Sequence, residues 1–366
     1  MIADNNLISD KSSENSLSYM PQLDSLRAFA VFFVLIEHWI INETHYTTIP
    51  FGMIGVTTFF VLSGFLITEI LLRSRNIAEE NNLGLLHSLK QFYIRRTLRI
   101  FPIYYITIFI LFVFNIQSIR EIFIWFFTYT SNIYFFSIQN WAGSLSHLWT
   151  LAVEEQFYIF WPLIILFIPK NKLLKAITGI IIFAILFRGL MFLMSDKSEN
   201  AVSFISILTP SCLDSFGLGA LLAYFRLNNN KYKFSSLKAN IFLIFNIVLI
   251  SVLLMFEENL ISASVFKFSV SVIALFLISK ISIGFTGFMK LIFENKLLMY
   301  LGKISYGLYL FHNFIPMIYR STGLPFINNI YIKFLIQFIL LIIIATVSWF
   351  FLEKPINNLK KRFAYN

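Results

Sequence analysis

The stretch 26-LRAFAVFFVLIEHW-39 is typical of the core of a membrane helix, yet it contains Arg27, Glu37 and His38. Asp24, just before it, adds a fourth ionisable group. A charged side chain at the centre of a bilayer costs about 2.5–3.5 kcal/mol on insertion scales. This density of charge therefore requires either partners or a function, and the position of each group across the membrane decides between them.

The composition of the whole chain supports a membrane protein. Of its 366 residues, 58% are hydrophobic and only 13% are charged, and the mean hydropathy is +0.75. Soluble domains carry about 25% charged residues, and an outer-membrane barrel would show short alternating segments in place of long apolar runs. The sequence therefore predicts an all-α polytopic membrane protein in a lipid bilayer.

Apolar runs of about 20 residues predict about ten transmembrane helices. The run 121–138 is ambiguous, since it is either a further span or an interfacial, re-entrant element. The ten predicted spans are 22–41, 51–72, 99–116, 148–168, 174–194, 204–225, 237–256, 263–281, 298–319 and 331–352. The longest polar loop is expected at about Arg73–Gln91.

The basic residues orient these spans. If 121–138 does not cross, one set of loops holds nearly all Lys and Arg, and the other holds little beyond Arg120, Lys197 and Arg320. Because cytoplasmic loops are the positive ones, we expect both termini in the cytoplasm. We expect a polar tail at 1–20, one membrane domain at 21–355 and a basic tail at 356–366. This placement explains the net charge of +10 without a nucleic-acid partner.

The segment 117–147 would then lie on the outer face. It is dense in aromatic residues, among them Trp125, Tyr129, Tyr134 and Trp141. An interfacial aromatic belt is the simpler interpretation, and a platform on which a sugar stacks is the alternative. The single cysteine, Cys212, excludes intrachain disulfides and any cysteine-based metal site, so we expect no metal.

Arg27 and His38 are eleven residues apart, close to three full turns of an α-helix. Both should face the same direction, separated by roughly 16 Å along the axis, with Arg27 near the inner end and His38 near the outer end. Asp24 lies three residues before Arg27 and can pair with it. The alternatives are an arginine that snorkels to the interface and a neutral structural histidine.

A second cluster lies in 92-FYIRRTLRIFPIYY-105, where Arg95, Arg96 and Arg99 fall within one helical turn. The cluster is either an ordinary positive-inside anchor or a clamp for phosphates, which arginine forks bind well.

The stretch 147-HLWTLAVEEQFYIFWP-162 places Glu154 and Glu155 close to an apolar core. His147 and Tyr158 share a face with Glu154. A buried carboxylate can orient and activate a histidine, and Glu154 and His38 both fall in the outer half of the membrane. We therefore expect that the two can meet.

Weaker candidates lie in three further segments. Ser63 belongs to 59-FFVLSGFLIT-68, where small residues usually serve helix packing. Asp214 is an intramembrane carboxylate, either functional or a structural acid paired to Arg188. In 304-ISYGLYLFH-312, Tyr309 and His312 belong to one polar stripe.

These motifs together resemble the membrane acyltransferase-3 family, which acylates cell-surface sugars and related molecules. The resemblance runs from about Gln22 to Pro355 and rests on seven motifs in order: LDSLRAFAVFFVLIEHW, FFVLSGFLIT, YIRRTLRIFPIYY, HLWTLAVEEQFYIFWP, LDSFGLGALLAY, ISYGLYLFH and FLEKP. The chain departs from the family pattern at Ala152 and at Glu37. Some relatives carry an extra helix and a fused extracytoplasmic domain, so an end at Asn366 predicts a stand-alone enzyme.

The resemblance implies an O-acyltransferase of the bacterial plasma membrane. Acyl-CoA, with acetyl-CoA favoured, would be a co-substrate from the cytoplasm, and no cofactor would be bound permanently. The acceptor would be an extracytoplasmic carbohydrate such as lipopolysaccharide, exopolysaccharide or peptidoglycan. A multi-pass transporter or flippase of an envelope glycan or lipid precursor is the alternative, since intramembrane charges suit it as well.

The implied site has three parts. His38 is the catalytic base or a transient acyl carrier, with Glu154 as its acidic partner. The residues expected to bind the acyl-CoA donor are Arg27, Arg95, Arg96 and Arg99. The residues expected to bind substrate or support the site are Asp24, Ser63, Glu155, Tyr158, Asp214, Tyr309 and His312.

Overall fold

The computed structural model describes residues 19–44, 49–195, 200–228, 237–256, 259–321 and 329–363, without the side chains of 237–239. Over these residues the protein is almost entirely helical and contains no strand. Most of the expected tail at 1–20 lies outside the described residues.

The main helices, in chain order, are α1 (Pro21–Ile36), α2 (Phe51–Glu80), α3 (Leu85–Val113), α4 (Ile119–Phe127), α5 (Ser131–Ile138), α6 (Trp149–Phe167), α7 (Lys170–Met194), α8 (Leu213–Asn228), α9 (Leu237–Leu253), α10 (Leu260–Ile283), α11 (Lys296–Lys303), α12 (Ser305–Phe311) and α13 (Ile330–Ser348). Shorter helices occupy Asn42–Thr44, Ala201–Ser206, Gly287–Phe293, Ile315–Ser321 and Lys354–Asn358. The 3-10 turns are Ile116–Ser118, Gly143–Leu148, Thr209–Cys212, His312–Phe314 and Leu359–Arg362, and the π-helices are Glu37–Ile41 and Trp349–Glu353.

Six of the described helices are long and apolar enough to cross a membrane. They contain α2, α3, α6, α7, α10 and α13. This fits a multi-pass membrane protein, because a helix of about 20 apolar residues spans the hydrocarbon core.

The other four predicted spans are shorter or interrupted. The segment 22–41 changes from α1 to a π-helix, and α9 has 17 residues. The segments 204–225 and 298–319 are each broken by 3-10 turns. The count of ten spans therefore stays a prediction.

The prediction of a polar loop at 73–91 is wrong, because most of this segment is helical. Helix α2 continues to Glu80, and α3 begins at Leu85. Ion pairs one turn apart, Arg73–Glu69 at 2.9 Å and Arg75–Glu79 at 3.0 Å, support this extension. Arg75 also donates to the carbonyls of Ile165 and Ile168 at the end of α6.

The ambiguous run 121–138 forms two short helices, α4 and α5. Between them the chain bends at Tyr129, whose φ is +54°. Helices of nine and eight residues reach about 13 Å, far less than the roughly 30 Å of the hydrocarbon core. This favours the non-spanning alternative.

Helices α2 and α8 cross at van der Waals distance because glycines stand at the crossing. A Cβ added to Gly64 would lie 2.0 Å from the Phe216 carbonyl oxygen, and one added to Gly219 would lie 2.0 Å from that of Val61. Small residues that let backbones approach are typical of membrane helix contacts. The crossing positions Phe216 between the rings of Phe60 and Phe157, with centroids 4.8 and 4.0 Å away.

We expect Gly64→Ala and Gly219→Ala to destabilise the protein, because each new methyl group would overlap a backbone carbonyl. Overpacking of this kind costs about 1–3 kcal/mol and occasionally more. Thermal denaturation of the purified protein in detergent should show a lower midpoint for both variants.

Gly179→Ala is the matched control, because Gly179 lies within α7 and a Cβ there would meet nothing within 4 Å. Replacing an unconstrained helical glycine by alanine is neutral or stabilising by about 0.5–1 kcal/mol. Equal midpoints for all three variants and the wild type would show that the α2–α8 crossing does not depend on its glycines.

Candidate functional site

His38 lies in the π-helix that continues α1. Residues Glu37–Ile41 have this conformation, and the backbone N–H of Asn42 donates to the carbonyl of Glu37, five residues earlier. A π-turn inserts one residue into a helix and is frequent at functional sites. Here it changes the rotation of the helix at His38, whose ring faces the 3-10 turn after α12.

The His38 ring meets two side chains of that turn. Its Nδ1 lies 3.0 Å from Nε2 of His312 and 3.1 Å from Oδ1 of Asn313. The rings of His38 and His312 are tilted by 43°, with centroids 4.9 Å apart.

These contacts define the tautomer of His38. The Nδ1 of His312 lies 2.6 Å from the carbonyl oxygen of Tyr309, which can only accept, so this nitrogen carries the proton. His312 is fully buried and has no carboxylate within ion-pair distance among the described residues, so its neutral form is expected. Its Nε2 then accepts from Nδ1–H of His38, and the Nε2 of His38 keeps a free lone pair.

His38 lines a cavity of about 520 Å³, which we call the histidine cavity. This volume lies within the range of about 300–1,000 Å³ usual for ligand sites. Its wall also includes Glu37, Val56, Thr57, Trp141, Trp149, Lys267, Tyr309 and Asn313. Trp141 of the aromatic outer segment and Trp149 at the start of α6 both line this cavity. Their position agrees with the alternative that this segment is a platform on which a sugar stacks.

A second, narrower cavity of about 100 Å³ contains three arginines, and we call it the arginine cavity. Arg27, Arg96 and Arg99 line it, together with Ser63, Glu154, Tyr158 and Tyr309. Arg27 pairs with Asp24, as the sequence predicted. The guanidinium of Arg96 lies 5.0 Å above the Tyr158 ring.

Arg96 and Arg99 make no ion pair with the described carboxylates. Glu154 lines the same cavity without forming an ion pair with either arginine. Guanidinium groups that are not held in ion pairs suit an anionic ligand, because arginine forks bind phosphate bidentately.

The two cavities share Val56 and Tyr309 as lining residues. The Tyr309 hydroxyl accepts from Thr150 at 2.8 Å and donates to the carbonyl of His147 at 3.3 Å, so it is held at the boundary. Arg27 and His38 thus line two cavities with two wall residues in common, and a continuous path between them stays a prediction.

The expected pairing of Glu154 with His38 is corrected by the structure. Glu154 accepts a hydrogen bond from Ser63 at 3.0 Å and lies in the arginine cavity. His147, expected near Glu154, instead contacts the carbonyls of Ser144 and Leu310.

Arg95 does not line the arginine cavity. Its guanidinium donates to the carbonyls of Lys360 at 3.1 Å and Phe363 at 2.9 Å, so it holds the C-terminal segment against α3. The expectation that all three arginines of this cluster bind one ligand therefore applies only to Arg96 and Arg99.

Asp214 and Glu155 lie away from both cavities. Asp214 pairs with Arg188 at 2.7 Å, and Arg188 also donates to the carbonyls of Ser211 and Ser264. This satisfied, fully buried pair supports the structural alternative for Asp214. Glu155 is 7% exposed, and its Oε1 has no hydrogen-bond partner among the described residues.

Sequence reasoning missed Asn313, Val56 and Lys267. Asn313 directly follows a motif that was recognised, and Val56 carries no chemical signal. Lys267 could have been found, because it is a charged residue within the apolar run 263–281. No group of three potential metal ligands occurs in the described part of the chain.

The long apolar helices fit a multi-pass membrane protein, and its helix bundle contains two cavities lined by charged and polar side chains. The chain belongs to the acyltransferase-3 family: the family's sequence profile, an acyltransferase domain, matches residues 20–354.

Its relatives include three bacterial proteins. "Putative O-acetyltransferase SAS0844" of Staphylococcus aureus (strain MSSA476) is 32% identical over 93% of this chain and 57% of its own length. "Putative peptidoglycan O-acetyltransferase YrhL" of Bacillus subtilis (strain 168) is 31% identical over 93% and 55%. "Peptidoglycan O-acetyltransferase OatA" of Listeria monocytogenes serovar 1/2a (strain EGD-e) is 29% identical over 95% and 57%.

The chain therefore spans a little over half the length of these relatives. No solved structure matches it.

Proposed function

We propose that this protein is an O-acyltransferase of the bacterial plasma membrane. It would move an acyl group, with acetyl favoured, from acyl-CoA in the arginine cavity to a hydroxyl of an extracytoplasmic glycan in the histidine cavity. The names of its relatives support acetyl as the group and peptidoglycan as one class of acceptor.

One observation carries this proposal: the arginine and histidine cavities lie side by side and share Val56 and Tyr309 as wall residues. A ligand whose anionic end lies against Arg96 and Arg99 would extend past these two residues toward His38. Acyl-CoA has this shape, because its phosphates and its thioester lie at opposite ends of a slender arm.

The arrangement of charges supports the direction of transfer. Residues from both ends of the described chain lie on the arginine side, with Tyr19 bound to Asp24 and Phe363 bound to Arg95. The positive loops belong to this side in the predicted topology, which makes it the cytoplasmic one.

In the simplest route, His38 acts as a general base. The acceptor hydroxyl gives its proton to Nε2 of His38 while its oxygen attacks the thioester carbon. The C–S bond then breaks, the CoA thiolate takes the proton from Nε2, and the products are an ester and free CoA. A two-step route, in which Nε2 first carries the acyl group, requires the same free lone pair.

His312 and Asn313 are positioning residues in this proposal. They accept from Nδ1–H of His38 and so keep Nε2 unprotonated and directed away from the turn. Glu154 would act on the donor side, where it and Ser63 line the path of the thioester.

We expect His38→Ala to abolish acyl transfer and the double variant His312→Leu/Asn313→Leu to lower kcat strongly while the KM for acetyl-CoA changes little. Loss of general-base orientation costs about 10²–10⁴-fold in rate. The measurement is the steady-state release of CoA and the formation of acetylated glycan by purified protein.

A variant that restores one hydrogen-bond acceptor for Nδ1–H of His38 provides the control. His312→Gln/Asn313→Leu places an amide oxygen near the former Nε2 of His312 and should recover much of kcat. An unchanged kcat in the folded double leucine variant would remove the positioning role of the turn. If label stayed on CoA with wild-type protein, the transporter alternative would replace the enzyme.

We expect Arg96→Gln and Arg99→Gln to raise the KM for acetyl-CoA about tenfold to hundredfold, because a hydrogen bond to a charged group contributes about 1.5–3 kcal/mol. The KM for acetyl-pantetheine, which lacks the nucleotide phosphates, should change little.

The neighbouring Arg95→Gln is the matched control, since its side chain binds the C-terminal segment instead. It should lower thermal stability without raising the KM for acetyl-CoA. Equal KM values for all three variants would show that the cluster is a membrane anchor and not a donor clamp.

A further inference from the structure

Lys267 is a buried cation in the apolar helix α10. Its side chain is 5% exposed, although it lies in a helix that is long and apolar enough to span a membrane. Such residues are rare and mark substrate paths or compensated structural pairs. The contacts of Lys267 decide between these two.

The ammonium group has only neutral partners in the described structure. It donates to the carbonyl of Ser206 at 2.8 Å and to Sγ of Cys212 at 3.0 Å, and sulfur is a weak acceptor. The rings of Phe60 and Trp149 lie 5.6 and 5.9 Å from Nζ. None of the described carboxylates lies within ion-pair distance, in contrast to the fully paired Arg188.

Lys267 lines the histidine cavity, so its charge lies close to whatever occupies that space. An ammonium group with only neutral partners suits a ligand with anionic hydrogen-bond acceptors.

Glu37 is the other charged group of this cavity. Its carboxylate faces the backbone N–H of Gly52 at 3.4 Å, and its side chain packs on that glycine. It forms no ion pair with Lys267. The cavity thus holds one acidic and one basic group on separate contacts, so an acceptor can meet the cation without displacing an internal salt bridge.

We propose that the histidine cavity selects an acceptor glycan that carries an anionic group, a carboxylate or a phosphate, and that Lys267 pairs with it. The proposal rests on the assignment of this cavity to the acceptor. Pairing of the anion with Lys267 would orient the sugar. His38 then faces the hydroxyl that receives the acyl group.

Binding measured without donor tests this directly. The probes are the methyl glycosides of glucose, glucuronic acid and glucose 6-phosphate, titrated into wild-type protein in detergent at low salt. We expect one or both charged sugars to bind about tenfold or more tighter than the neutral sugar, and the comparison between the two identifies the anion.

Two variants assign any preference to Lys267. Lys267→Met keeps the length of the side chain and should abolish the preference, while Lys267→Arg keeps the charge and should retain most of it. Binding of CoA, which uses the other cavity, confirms that each variant is folded. These titrations need no turnover, so a protein that binds anionic sugars but never transfers an acyl group would refute the enzyme and leave the charge selection intact.

Equal binding of neutral and charged sugars by wild-type protein would overturn the proposal. So would a preference that persists in Lys267→Met. In either case Lys267 would serve only to hold the carbonyl of Ser206, and acyl transfer itself would be unaffected as a proposal.

Discussion

Within an apolar helix bundle, every polar group must find a partner or serve a ligand, because no water in the bilayer core can replace the missing contact. Arg188 and Asp214 satisfy this constraint internally, with each other and with two backbone carbonyls. Arg96 and Arg99 have no such carboxylate in the described structure, nor has Lys267. This constraint thus distinguishes polar side chains that stabilise the fold from polar side chains that are available to bind a ligand.

These cationic groups without ion pairs line two neighbouring cavities that share Val56 and Tyr309. The arginine cavity offers guanidinium groups to phosphates, and the histidine cavity offers a base and room for a sugar ring. Between them, Tyr309 is fixed by Thr150, so the boundary is built from ordered side chains. An enzyme that transfers a group from a donor on one side of the membrane to an acceptor on the other side requires two separate binding cavities.

The hydrogen bond between His38 and His312 connects the two ends of the chain. It brings the π-helix after α1 against the turn after α12, 274 residues later in the sequence. A neutral histidine in place of a carboxylate gives Nδ1–H of His38 an uncharged acceptor. It still determines the tautomer, since the Tyr309 carbonyl fixes the proton of His312.

The sequence predicted those features that depend on local spacing. The pairing of Asp24 with Arg27 and the structural alternative for Asp214 both follow from helical geometry and charge, and the structure contains them. The π-turn at Glu37–Ile41 changes the rotation that an α-helix would give, and no residue type announces it. The partner of His38 depends on a long-range contact, so motif spacing favoured Glu154 where the fold supplies His312. The segments 204–225 and 298–319 are mostly apolar, and their few polar residues did not lower the average hydropathy enough to reveal the breaks.

The central claim is that an acyl group crosses from the arginine side to the histidine side. Protein reconstituted in sealed vesicles in one orientation, with acetyl-labelled CoA confined to one compartment and soluble peptidoglycan fragments in the other, tests it. We predict labelled glycan only when the CoA is on the arginine side and the glycan on the histidine side, and none with His38→Ala. Transfer that occurs equally when both substrates share the histidine side, or only then, would contradict the account.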